Sequence, residues 1–64
     1  MNYQQARQIR KDFVREYLVQ YGDRVRMCNL IAKWQTREWV IVVYSSQQLD
    51  LPVQYQGLRV EVRK

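Results

Sequence analysis

The pattern of apolar and polar positions changes its period once along this chain, just beyond residue 22. From residue 3 to residue 21 the apolar positions recur at helical spacing and lie within one broad arc of a helical wheel, at about 100° per residue. The opposite side is polar, so the segment is predicted to be an amphipathic helix with one face to bury. Asn2 and Gln5 have the spacing of a capping box at its start, and Gly22 is expected to end it.

After Asp23 the pattern becomes alternating or continuously apolar, which predicts β-strands. Residues 25–34 and 38–45 are predicted to form a hairpin across a short polar loop. Residues 58–63 alternate, with Leu58, Val60 and Val62 on one side. The intervening residues, 46–57, contain the only proline and are expected to form an irregular crossing that could include one helical turn ended by Pro52.

These elements predict an α+β fold, in which an N-terminal amphipathic helix packs on one face of a small, mainly antiparallel three-stranded sheet. A chain of 64 residues has room for one core, so residues 1–64 are expected to be a single domain. Folding at this size removes only roughly 60% of the surface that the unfolded chain exposes, and the stability margin is therefore thin.

The second predicted strand is apolar at consecutive positions, so it presents apolar side chains to both faces of the sheet. One helix can cover only one of those faces. The uncovered face would carry either the set Trp39, Ile41 and Val43 or the set Val40, Val42 and Tyr44, and the sequence leaves both open. Because an exposed apolar face is typical of association, we expect a protein interface at these six residues. The partner is a second copy in the simplest version, or another protein that this chain regulates.

Charge suggests an alternative function. Lysine and arginine number 11 against 6 acidic residues, which gives a net charge of +5. Eight of the eleven are arginine, whose guanidinium forms two-pronged contacts with phosphate. Spacing of four residues places Arg7, Lys11 and Arg15 on one helical stripe. Together with sheet residues they define a possible nucleic-acid surface: Arg7, Lys11, Arg15, Arg59 and Arg63, with Trp39 or Tyr44 as a stacking ring. Such binding would weaken steeply with salt, whereas an apolar interface would not.

Arg10 has two interpretations, because the helical wheel places it inside the apolar arc. Its aliphatic stem can pack while the guanidinium reaches water. Alternatively, the guanidinium can form a salt bridge or grip an anion where the helix meets the sheet.

The residue inventory does not favour catalysis, a metal or a cofactor. The chain has no histidine, its six acidic residues do not cluster, and two glycines cannot form a phosphate-binding loop. Cys28 is the only thiol; we expect it to be buried as a small apolar residue, and a lone cysteine suits a reducing cytoplasm. The longest apolar run, residues 39–44, is far shorter than the roughly 20 residues of a membrane-spanning helix. A soluble cytoplasmic protein without a membrane partner is expected.

Overall fold

The helical segment at the start of the chain changes its winding twice. The computed structural model describes residues 2–64, in which helix α1 (Tyr3–Phe13) is followed by a π turn (Val14–Leu18) and a 3₁₀ segment (Val19–Arg24). The capping box is confirmed: the Gln5 amide donates to Asn2 Oδ1 at 2.8 Å, and the Asn2 amide donates to Gln5 Oε1 at 3.1 Å. The backbone leaves the helical conformation at Gly22, where φ is +53° and ψ is −122°.

The π turn changes which side chains are buried after Phe13. A π turn holds more residues than an α-helical turn, so it rotates the following side chains back towards the sheet. Leu18, which lies at the edge of the apolar arc on an α-helical wheel, is consequently buried. Val19, one residue further on, is exposed.

Four strands form the sheet: β1 (Val25–Lys33), β2 (Glu38–Ser45), β3 (Gln54–Tyr55) and β4 (Leu58–Arg63). Their order across the sheet is β1-β2-β4-β3. β1 pairs antiparallel with β2, β2 pairs parallel with β4, and β3 pairs antiparallel with β4. The α+β class is confirmed, but the predicted three-stranded, mainly antiparallel sheet is wrong, because there are four strands in a mixed sheet.

The crossing between β2 and β4 explains the mixed sheet. From the end of β2, residues 46–53 travel back along the sheet without a helical turn, so β4 starts beside the beginning of β2 and runs parallel to it. The helical turn ended by Pro52 is therefore absent from residues 46–53, which have no regular secondary structure. Leu49 buries its side chain on the helix side, and the Tyr21 hydroxyl donates to the Asp50 carbonyl at 3.1 Å. β3 and β4 are then joined by a tight turn at Gln56 and Gly57, both with positive φ.

The core lies between the helical segment and the sheet. Its centre is Phe13, which is fully buried and whose ring lies 5.2 Å from the rings of both Tyr17 and Tyr55. The buried core residues are Ala6, Phe13, Leu18, Ile41, Val43, Leu49, Tyr55, Leu58 and Val60. No helix within residues 2–64 is long and apolar enough to cross a membrane.

Candidate binding surfaces

The parity of β2 is resolved by its place in the sheet. Ile41 and Val43 belong to the core on the helix side, and Ile41 lies opposite Val60 of β4. Val40 and Val42 consequently point to the other face, which we call the outer face. The outward set is therefore Val40, Val42 and Tyr44.

The two outward valines are nevertheless shielded inside the protein, with 0% of Val40 and 1% of Val42 exposed. Lys33 of β1 and Glu61 of β4 stand on the strands either side of β2, and Lys33 Nζ lies 3.0 Å from Glu61 Oε1. The ion pair therefore crosses over β2. The Arg63 guanidinium contacts the other oxygen of Glu61, also at 3.0 Å. We call Lys33, Glu61 and Arg63 the ionic lid, since these long side chains cover the valines that no second helix covers.

The ionic lid alters the titration of its carboxylate. The hydrogen bond from Lys33, followed by that from Arg63, holds the pKa of Glu61 below its ordinary value, while desolvation opposes this shift. Glu61 therefore keeps its charge to a lower pH than an unpaired glutamate would.

The six residues of the predicted interface are placed in three settings. Ile41 and Val43 lie in the core, and Val40 and Val42 lie under the ionic lid. The remaining two, Trp39 and Tyr44, are half-buried, and Trp39 packs on the helix side with its ring 5.8 Å from that of Tyr3. Of the outward set, Tyr44 is thus the residue that a partner can reach directly.

The adjoining strand offers more accessible surface. β1 is the first strand of the sheet, and no strand of residues 2–64 pairs with its other side. This edge, which we call the β1 edge, is nine residues long, or about 30 Å at the usual rise per residue. At the opposite side of the sheet β3 has only two residues. On that side β4 pairs with β3 only at Leu58 and Arg59, so the longest row of backbone donors and acceptors without a strand partner in residues 2–64 lies along β1.

Exposed apolar side chains lie along or beside the β1 edge. Met27 is 53% exposed on the outer face, opposite Tyr44. Trp34 is 89% exposed, immediately after β1 ends. The sequence predicted strand as far as residue 34, which hid the exposure of Trp34. Its signal was a large aromatic residue directly before the polar loop.

Three grooves border the β1 edge. At the hairpin tip, a groove of about 600 Å³ is lined by Ala32, Lys33, Trp34, Arg37, Glu38 and Trp39. At the start of the strand, one groove of about 370 Å³ lies on the helix side, between Val14 and Cys28. Another, of about 290 Å³, lies on the outer face beside Met27 and Tyr44. The edge is thus flanked by concave surface on both faces.

Arg10 and Cys28 meet in the helix-side groove. Arg10 is half-buried, and its guanidinium interacts with the Cys28 thiol. Burial raises the pKa of Cys28, and the charge and hydrogen bond of Arg10 oppose that shift without cancelling it. Cys28 is therefore a neutral thiol at pH 7, while Arg10 presents a positive charge at the junction of helix and sheet.

The structure does not bring the five possible nucleic-acid contacts together. Arg7, Lys11 and Arg15 are exposed on the helical layer. Arg59 and Arg63 stand on the opposite face of the sheet, and both lie near carboxylates. Arg59 is 3.9 Å from Glu38, and Arg63 contacts Glu61 in the ionic lid.

A carboxylate and a phenol meet at the far side of the molecule, next to β3. The Tyr55 hydroxyl donates to Glu16 Oε2 at 2.6 Å, in a shallow groove that Asp12 and Arg15 also line. This hydrogen bond is the main reason that the pKa of Tyr55 is raised, and desolvation adds to it. Within the described chain, no three side chains of metal-ligand type lie together. The Tyr55 contact ties β3 to the helix.

Comparisons with protein families, with curated proteins and with solved structures found no match to this chain.

Proposed function

We propose that this protein is a non-enzymatic binding module that associates with another protein chain through the β1 side of its sheet. The surface comprises the β1 edge, the outward residues Met27 and Ile31, and Trp34 at the hairpin tip. One observation carries the proposal: the only long open edge of the described sheet ends beside a tryptophan that is 89% exposed.

Physical chemistry favours a protein partner at this surface. An open strand edge supplies main-chain hydrogen bonds that another polypeptide can match. Exposed tryptophan is among the residues that most often dominate binding energy, because it buries a large area with little loss of rotamer entropy. The partner is either a second copy or a different protein.

The role of the apolar run at residues 39–44 follows from its burial. β2 supports the surface from its position beside β1, and Tyr44 reaches the rim of the outer-face groove. Contact is thus expected along β1, with the centre of the outer face occupied by the ionic lid.

We propose that the protein resides in the cytoplasm. Cys28 is a free, half-buried thiol. A thiol of this kind persists in a reducing environment.

Nucleic-acid binding is the second candidate, and one observation favours it. Arg7, Lys11 and Arg15 are exposed along one helical stripe, and none of them takes part in an ion pair of residues 2–64. A phosphate backbone could follow that stripe. This is the weaker candidate, because Arg59 and Arg63 lie on the opposite face of the sheet from the stripe and both are near carboxylates.

Two measurements separate the candidates. In the first, peptides are selected from a random display library on the immobilised protein, and their affinities are measured for Trp34→Ala and for the control Val53→Ala. Both residues are highly exposed, at 89% and 78%, but Val53 adjoins the opposite edge. We expect Trp34→Ala alone to weaken binding.

In the second, solution mass is measured by light scattering at low and high salt, with and without a mixed single-stranded oligonucleotide. An apolar self-association would persist at high salt. A selection that yields no binding peptide, together with a mass that rises only with oligonucleotide at low salt, would reverse the ranking.

A further inference from the structure

We propose that the β1 edge binds an extended, acidic segment of another protein as an additional strand of the sheet. This inference rests on the proposed function and specifies the chemistry of the partner.

The grooves beside the β1 edge fit an added strand. Successive side chains of a strand point to opposite faces, so a strand paired with β1 would send alternate side chains to the helix side and to the outer face. At the start of β1, a groove lies on each of those faces. At its end, the hairpin-tip groove offers the exposed Trp34 ring. Main-chain pairing combined with pockets for alternate side chains is the arrangement by which sheets recognise extended peptides.

The charges around the β1 edge select for acidic side chains. Residues 24–37 contain no carboxylate side chain and four cations: Arg24, Arg26, Lys33 and Arg37. Of these only Lys33 takes part in an ion pair among residues 2–64. Glu38 is the acidic residue that lines the hairpin-tip groove, and it lies 3.9 Å from Arg59. Arg10 adds a positive charge to the helix-side groove, and Lys64 adds one to the outer-face groove.

Arg26 occupies a distinctive position among these cations. The register between β1 and β2 shifts between Val25 and Met27, so Arg26 is the extra residue of a bulge and is exposed. It lines both grooves at the start of the strand. A carboxylate on either side of an added strand can therefore reach its guanidinium.

The same charges disfavour the other occupants. Antiparallel pairing of two β1 strands along their full length brings Arg26 of one copy close to Lys33 of the other, at both ends, which is repulsive. A nucleic acid would satisfy the cations, but it would not pair with the row of backbone amides and carbonyls. An acidic polypeptide uses both features of the surface.

The test uses peptides obtained by display selection on the immobilised 64-residue chain. We expect the selected sequences to be rich in Asp and Glu and free of proline. We also expect N-methylation of alternate amides to abolish binding in one parity and to be tolerated in the other, since only one parity faces β1. Arg26→Glu should weaken binding about tenfold, as loss of a charge-assisted contact predicts. The matched control, Arg15→Glu, lies on the helix beside β3 and should leave affinity unchanged.

Hydrogen exchange of the complex locates the peptide. Protection of β1 amides supports strand addition, as does the parity effect. Peptides that bind through Trp34 but are neutral or basic would overturn the acidic specificity. Peptides that tolerate N-methylation in both parities would overturn strand addition. Either result would leave protein association standing. Failure to select any peptide would overturn both proposals. If an oligonucleotide displaces the peptide, and if Arg15→Glu weakens the binding of both, the binding site is the helical stripe and the proposal is overturned.

Discussion

Val40 and Val42 are buried on the outer face, beside Ile31 and Asn29 of β1, where the ion pair of Lys33 and Glu61 crosses β2. The ammonium of Lys33 reaches across β2 to Glu61, and the methylene groups of both side chains remain available to cover apolar surface. An ion pair that is exposed on all sides contributes little to stability. This pair acts differently, because holding it in place also holds the cover over the valines.

Glu61 should make the protein sensitive to acid. Its pKa is lowered in the folded state, so its contribution to stability is present above the unfolded pKa of about 4.3 and is lost as pH falls through the folded value. We expect Glu61→Gln to lower the free energy of unfolding at pH 7 and to reduce its decline in acid. Urea unfolding across an acidic pH series measures both effects.

Glu38→Gln is the matched control for this prediction. Glu38 also faces an arginine, but the distance to Arg59 is 3.9 Å, and about half of each side chain is exposed. Its substitution should change the acid dependence less than that of Glu61. Equal changes for the two variants would show that the ionic lid has no special role.

Tyr55 should make the protein sensitive to alkali. Its phenol must be protonated to donate to Glu16, and its pKa is raised in the folded state. This contribution is therefore fully present below the unfolded pKa of about 10 and is lost as pH rises through the folded value. Tyr55→Phe keeps the ring contacts with Phe13 and Tyr17 and should flatten the alkaline limb of the stability profile. An unchanged limb, measured by urea unfolding against pH, would contradict this assignment.

At the scale of elements, the junction between the helical segment and β1 depends on Gly22. Its φ of +53° and ψ of −122° lie in a region that side chains rarely adopt, and an added Cβ would meet no atom within 4 Å. The cost of Gly22→Ala is therefore backbone strain, and we expect a loss of about 1–3 kcal/mol in the free energy of unfolding. Gln20→Ala, at an exposed position nearby, should change stability by less than about 0.5 kcal/mol. Equal losses in a denaturant titration would argue against strain.

The elements also show how much of the fold can be predicted from the sequence alone. Local pattern and capping chemistry predicted the helix start and the three longer strands to within one residue. They could do so because burial on one or both faces gives the sequence a regular spacing of apolar residues. β3 escaped prediction, since two residues carry no period and the Gln56–Gly57 turn lacks the usual asparagine or aspartate. The parallel pairing of β4 escaped as well, because it depends on the path of the crossing.

The candidate surface was predictable only in part for a related reason. The apolar strand was visible in the sequence, but its cover by Lys33 and Glu61 joins residues 28 positions apart in different strands. The β1 edge depends on strand order, which the sequence did not determine. The sequence carries a local signal for the exposure of Trp34, but the position of Met27 and Trp34 beside an open edge depends on strand order.

At the scale of the whole molecule, each side of the sheet has a different cover. The helical segment and Leu49 bury one face, the ionic lid shields the centre of the other, and β3 is too short to offer much edge. The β1 edge is the longest part of the described sheet that no neighbouring strand covers. A net charge of +5 disfavours the close approach of two copies of the chain and is complementary to a partner of opposite charge.

This arrangement predicts a gradient of amide hydrogen exchange across the sheet. Exchange should be slowest in β2, which pairs with β1 on one side and with β4 on the other, and fast at β3 and at the amides of β1 that point away from β2. Nuclear magnetic resonance at low and high protein concentration measures the exchange rate of each amide. The β1 amides that point towards β2 serve as an internal control. Slow exchange at every concentration of the β1 amides that point away from β2 would contradict an open edge. Protection that grows with concentration would identify a second copy as the occupant, and protection that appears only with an acidic peptide would identify the added strand.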